Sequence, residues 1–188
     1  FARPFMQRTL PSQPAAIQPG RTVILVDTSA SKRRGDLWQQ ARRKVAAAVR
    51  TAQPMDELAL WAFDRQVSPA VSMEEWKAPP PGDRENLALT RLESLTPTWS
   101  GTHLGNALAQ AAEALAVNAS TKISSSGRKQ IVLITDLQEG SHLDQIQGFD
   151  WPRGVALDLQ VVRLSKPDNA GIQILQDREE GAATTTAG

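Results

Sequence analysis

Thr22-Val23-Ile24-Leu25-Val26-Asp27-Thr28-Ser29-Ala30-Ser31 is the stretch on which the fold turns. Thr22 to Val26 is a short β-branched, apolar run, the pattern of a strand buried on both faces. It stops at a carboxylate, and the chain then turns polar. Beyond the turn, Asp36 is placed to cap a helix in which Leu37, Ala41, Val45 and Ala48 fall on one stripe, and Pro54 closes the segment. A buried strand, a polar turn and an amphipathic helix form the opening of a strand–helix–strand unit.

The same alternation continues outward. Leu58 to Phe63 is a second apolar run, Asp64-Arg65-Gln66 reads as a tight turn, and Val67 to Val71 as a return strand. Residues 77–83, with three consecutive prolines, form a rigid loop. A short helix is expected from about Arg84 to Leu95, and Leu104, Leu108, Ala111 and Leu115 mark another helical stripe. Lys122 to Gly127 reads as a polar turn. Gln130 to Thr135 is a third buried strand that ends at Asp136. Leu143 to Ile146 suggests a short helical piece, Val155 to Leu164 a fourth strand, and Ile172 to Leu175 an edge strand or the start of a following domain. This order implies an α/β fold: a doubly wound, mostly parallel sheet with helices on both faces, Rossmann-like. The domain is expected over residues 21–177. Residues 1–20, rich in Pro and Gln, form an extended linker or arm, and residues 178–188 a disordered tail.

Composition narrows the chemistry. The formal net charge is +1, which gives no strong field for nucleic acid or an anionic membrane. There is no Cys, which removes disulfides, thiolate zinc sites and thiol catalysis, and two His make a His-based zinc site a poor fit. No apolar run reaches the ~18 residues of a membrane span, and no signal peptide is visible.

Open α/β sheets bind ligands at the carboxyl ends of their strands. There Asp27, Ser29 and Ser31 place oxygen side chains at alternate positions, and a turn can curl them around one point. Asp136 adds a second carboxylate at the same edge, and Ser100-Gly101-Thr102 opens a helix that can bring a hydroxyl there. Two carboxylates and several hydroxyls are hard donors, suited to Mg²⁺, with Mn²⁺ or Ca²⁺ as alternatives.

This combination resembles the metal-ion-dependent adhesion site (MIDAS) of von Willebrand factor A-type (VWA, integrin I-like) domains. The resemblance covers residues 20–165 and assigns Asp27, Ser29, Ser31, Thr102 and Asp136 to the five metal positions. Ala30 stands where Gly is common. It implies a protein-binding module in which a divalent cation captures an acidic side chain of a partner. A narrower likeness rests on Phe1-Ala2-Arg3-Pro4-Phe5 and Ile134-Thr135-Asp136-Leu137-Gln138, which are similar to segments of bacterial aerotolerance (Bat-like) double-transmembrane proteins. It implies a membrane-associated bacterial complex, a MoxR-type AAA ATPase system as partner, an anchor outside this chain, and a domain on the periplasmic side. Arg3 and Arg8 would by themselves favour the cytoplasm.

Several blander readings stand beside these. Asp27 and Asp136 can end strands as turn residues, Ser29 and Ser31 can serve the turn, and Thr102 can cap a helix. Trp99 is either an exposed recognition aromatic or a residue packed under the Thr102 loop. His103, beside Thr102, is a candidate for partner contact but reads more simply as a solvated first-turn residue, and His142 as surface. Asp64 and Asp144 read as turn and cap residues, and Trp38, Trp61 and Trp151 as core packing. Lys32-Arg33-Arg34 reads as a solvated turn that can steer an acidic partner. Two alternatives to a metal latch remain: a VWA scaffold with a non-functional metal site that assembles a membrane complex, and a Mg²⁺-dependent phosphatase. The phosphatase would want an acid where Ser29 stands, and with no nucleophile elbow or P-loop in the sequence an enzyme is not expected.

Overall fold

A computed structural model of the chain describes residues 19–117, 127–138, 141–143 and 146–165. Five strands form one sheet: β1 (Arg21–Asp27), β2 (Glu57–Phe63), β3 (Val67–Val71), β4 (Lys129–Thr135) and β5 (Val155–Val161). Their order is β3-β2-β1-β4-β5, with β3 antiparallel to β2 and every other pair parallel. β1 is central and buried along almost its whole length. Alternate residues of so continuous an apolar strand must be covered on both sides. Ile24 and Val26 face α1 (Leu37–Arg50) and α3 (Arg84–Ser94), together with Trp76 of the short α2 (Met73–Lys77). Val23 and Leu25 face α4 (Leu104–Val117) through Leu104, Ala107, Leu108 and Ala111. The doubly wound, mostly parallel α/β sheet is therefore present, and no helix among the described residues is long and apolar enough to cross a membrane.

Some local expectations need correction. Asp36 precedes α1 but makes no side-chain cap; its Oδ2 accepts hydrogen bonds from Gln40 and Ser165 and ties the start of α1 to the chain after β5. α2 lies almost wholly between the return strand and the proline loop, where no element is expected; it forms because Ser72 and Glu75 make a reciprocal capping box at the start of a five-residue helix. β5 is shorter than read, and its Leu157 and Leu159 are exposed. Ile146, in 3-10 conformation, donates its amide to Leu143 O, a single turn where the short helical piece is expected. Residues 1–18, the segments 122–126 and 172–175, Asp144 and the tail 178–188 lie outside the described residues.

The switch point of the sheet fixes where chemistry can gather. From β1 the chain crosses to β2 on one side and later returns as β4 on the other. Val26 pairs with Ile134, so Asp27 and Thr135 end side by side, and Asp136 follows at the same edge.

Candidate functional site at the carboxyl edge of the sheet

The loop after β1 is set by its backbone. Ser29 is extended, and its amide donates to Asp27 Oδ1 at 2.9 Å. A 3-10 turn over Ala30–Arg33 then brings the chain back on itself, with Lys32 N donating to Ser29 O. Thr98 clamps the neighbouring loop: its amide donates to Thr28 O, and its hydroxyl donates to Asp64 Oδ2 at 2.9 Å. Ala30 N donates to Ser100 O and His103 N to Asp64 O, which fixes Thr102 over the end of β1. Burial works against the charge of Asp64, but the amides of Gln66 and Arg65 and the hydroxyls of Thr98 and Ser100 outweigh it and lower its pKa.

The five expected residues do come together. Thr102 Oγ1 reaches Asp27 Oδ1 at 3.5 Å, the Ser29 and Ser31 hydroxyls are 3.0 Å apart, and Asp136 approaches from β4. Ser29, Ser31, Thr102, Gln138 and Ser141 line a small cleft of ≈ 170 Å³ above them. A larger hollow, ≈ 590 Å³, lies at the opposite end of the sheet beside Asp56 and Arg128, away from this set.

At the centre stands a residue that reads from sequence as solvated. Lys32 is 1% exposed. Its ammonium donates to Asp27 Oδ2 at 2.9 Å, Ser31 Oγ at 3.0 Å and Asp136 Oδ1 at 2.6 Å. An ammonium has three N–H donors, and each has an oxygen. Thr135 Oγ1 donates to Asp27 Oδ2 as well, at 2.8 Å. Asp27 Oδ1 thus accepts from Ser29 N, with Thr102 Oγ1 standing off at 3.5 Å, and Oδ2 accepts from Lys32 and Thr135, which uses both of its lone-pair directions. Thr98, Thr135 and Lys32 were missed as site residues. Two carboxylates taken into a sheet edge call for a compensating cation, but which residue of the Lys32-Arg33-Arg34 run supplies it is set by Asp136, from far along the chain.

By residue type the donor set suits a hard divalent ion; by arrangement it does not. Such an ion takes about six oxygens, but Asp27 Oδ2 already accepts from Lys32 and Thr135, and Ser31 Oγ and Asp136 Oδ1 from Lys32, so the ammonium holds oxygens the ion would need. The ammonium also offsets about half of the attraction that Asp27 and Asp136 would offer a divalent ion, since at ~4 Å and an effective dielectric of ~20 each unit charge is worth about 8 kcal/mol against it. Asp136 Oδ2 is buried without a hydrogen-bond partner, a single open acceptor that is well short of a coordination shell.

On the rim, Trp99 is 81% exposed, which decides between its two readings. The Arg33 guanidinium stacks on its ring at 4.0 Å and donates to Pro97 O. His103 is half-buried, with its ring edge-on to His142 at 5.0 Å, and does not line the cleft. Trp38, Trp61 and Trp151 pack against the two cores, and Asp64 holds the β2–β3 turn, as expected.

Comparison with known proteins agrees with this architecture. The family model for the von Willebrand factor type A domain matches residues 22–140. Among solved structures, an aerotolerance-related membrane protein from Bacteroides fragilis is similar at 22% identity and TM-score 0.55, over 90% of this chain and 77% of that one. BatB from Bacteroides thetaiotaomicron is similar at 19% identity and TM-score 0.50, over 75% of this chain and 65% of that one. Proximal thread matrix protein 1 of the mussel byssus, in a structure with a zinc-occupied MIDAS motif, is similar at 14% identity and TM-score 0.54, over 76% of this chain. This chain spans only 37% of the mussel protein. No curated protein matches the chain.

Proposed function

The chain belongs to the von Willebrand factor type A domain family, and from that premise we propose that it is a protein-binding module, not an enzyme, whose carboxyl edge receives an acidic side chain of a partner in a membrane-associated assembly. The observation that carries this reading is the exposed Trp99, held by the Arg33 guanidinium beside the hydroxyl-lined cleft. A large aromatic in water has no packing reason to be there, and Trp and Arg are the residue types that dominate interface energies. The charge that meets the acid on this reading is Arg33, which is exposed and keeps N–H donors beyond the one given to Pro97. The similarity to an aerotolerance-related membrane protein supports the membrane setting. The alternative of a scaffold without a working metal site is favoured by Lys32 within the oxygen set; it differs in needing no acid at the cleft.

Selection of a random peptide library on the folded domain tests the reading. Enriched peptides should carry Asp or Glu and lose about 30-fold in affinity, some 2 kcal/mol, with Trp99→Ala or Arg33→Gln. Arg153→Ala, an exposed change at the amino-terminal edge of the sheet, should leave them unaffected. Peptides without acids, or binding indifferent to Trp99 and Arg33, would leave only the scaffold.

A further inference from the structure

We propose that the Lys32 ammonium is the resident cation of this site, standing where metal-binding relatives hold a divalent ion, so that the carboxyl edge is built and works without metal. The inference about the site stands on geometry alone; only its consequence for recognition rests on the binding function above.

Three observations support it. The first is position: Lys32 Nζ lies within hydrogen-bond distance of Asp27, Ser31 and Asp136, three of the five residues matched to the metal positions, and these come from two strand ends far apart in sequence. The second is completeness: its N–H donors are all taken and its side chain is 0% exposed, so it is neither a surface lysine that has folded down nor a cation in search of a partner. The third is charge: against Asp27 and Asp136 it leaves the cluster at a formal −1, where a bare pair of buried carboxylates would carry −2. The 3-10 turn over Ala30–Arg33 makes the insertion possible, because it points residue 32 back under the loop while Arg33 faces outward.

The consequence for binding is specific. A divalent ion held by a few protein oxygens keeps a position open for an incoming carboxylate, whereas an ammonium with three acceptors has none. Lys32 therefore organises Asp27, Ser31 and Asp136, and the partner's acid is met at the rim, by Arg33 beside Trp99.

The test needs no partner. Metal-stripped wild type and Lys32→Met are each titrated with Mn²⁺ by calorimetry, and their thermal midpoints are read in Mn²⁺ and in chelator. The expected result is no binding and no shift for wild type, with one ion bound by Lys32→Met and a midpoint that rises by several degrees in Mn²⁺. One ion bound by wild type, lost on Asp27→Asn, overturns the proposal. Failure of both proteins to take an ion also overturns it, because the oxygens would then not be a cation site that lysine fills. If Lys32→Met does not fold, wild type alone decides, by mass spectrometry after amine acetylation. Lys32 should stay unmodified while Lys77, about half exposed, reacts, in Mn²⁺ and in chelator alike. Mn²⁺-dependent labelling of Lys32 would show the ion displacing it and would sink the idea. A positive outcome here with failure of the peptide selection would remove the acid-binding function and leave the metal-free site standing.

Discussion

Asp27 spends both carboxylate oxygens inside the fold, and its neighbours show what holds it there. Thr135 is fully buried and donates to Oδ2 from the paired strand. Thr135→Val keeps the shape and removes this charge-assisted bond, so a loss of about 1.5–3 kcal/mol is expected in urea unfolding. Asp64 gives a pH signature. Its folded pKa is lowered, so its stabilisation is complete above the ordinary carboxylate value and is lost as pH falls through the lower, folded value. The stability gap between wild type and Asp64→Asn should therefore be constant near neutrality and narrow below about pH 4; a gap that is flat down to acid unfolding would refute the assignment. At this scale the sequence was legible for oxygens and not for the cation. Asp27, Ser29, Ser31, Thr102 and Asp136 follow strand ends and a helix start, which periodicity locates. Lys32 sits in a Lys-Arg-Arg run, and nothing local separates a lysine that enters the fold from two arginines that leave it. Its burial is decided by Asp136, from a strand far along the chain.

The elements behave as local chemistry dictates wherever that chemistry is complete. α2 exists because Ser72 and Glu75 satisfy each other's amides, and it delivers Met73 and Trp76 to opposite cores. Ser72→Ala should cost about 1 kcal/mol, read as a lower urea midpoint at unchanged slope. A short helix flanked by prolines carries too few apolar positions for periodicity to find, so only the capping box marks it. Gly35 joins the site turn to α1 at φ +49°, and a Cβ there would lie 3.0 Å from Leu164 Cδ2. Gly35→Ala should therefore destabilise by about 1–2 kcal/mol through backbone strain, with the packing contact adding to it. The exposure of Leu157 and Leu159 shows the limit of reading β5 from its alternation: the pattern marks an apolar face but not whether anything among the described residues covers it.

Across the whole molecule, stability and recognition occupy different places. The sheet order was readable because buried strands alternating with amphipathic helices leave few right-handed, unknotted arrangements, and the two cores on either side of β1 follow from it. The exposure of Trp99 was not readable, because whether a loop tryptophan packs beneath its loop depends on Arg33, which approaches from another loop. That separation yields an outcome that can be checked in one set of proteins. Leu133, in the central part of β4 and 2% exposed, should cost about 2–5 kcal/mol on truncation to Ala, and should weaken peptide binding only in proportion to the unfolded fraction. Trp99→Ala removes a side chain that is mostly in water, so its stability should stay within about 0.5 kcal/mol of wild type while its peptide affinity falls. Measured side by side, denaturation curves and binding isotherms should therefore move independently for the two variants. A Trp99→Ala protein that loses stability as Leu133→Ala does would mean that the indole holds up the loop clamp at Thr98 instead of meeting a partner.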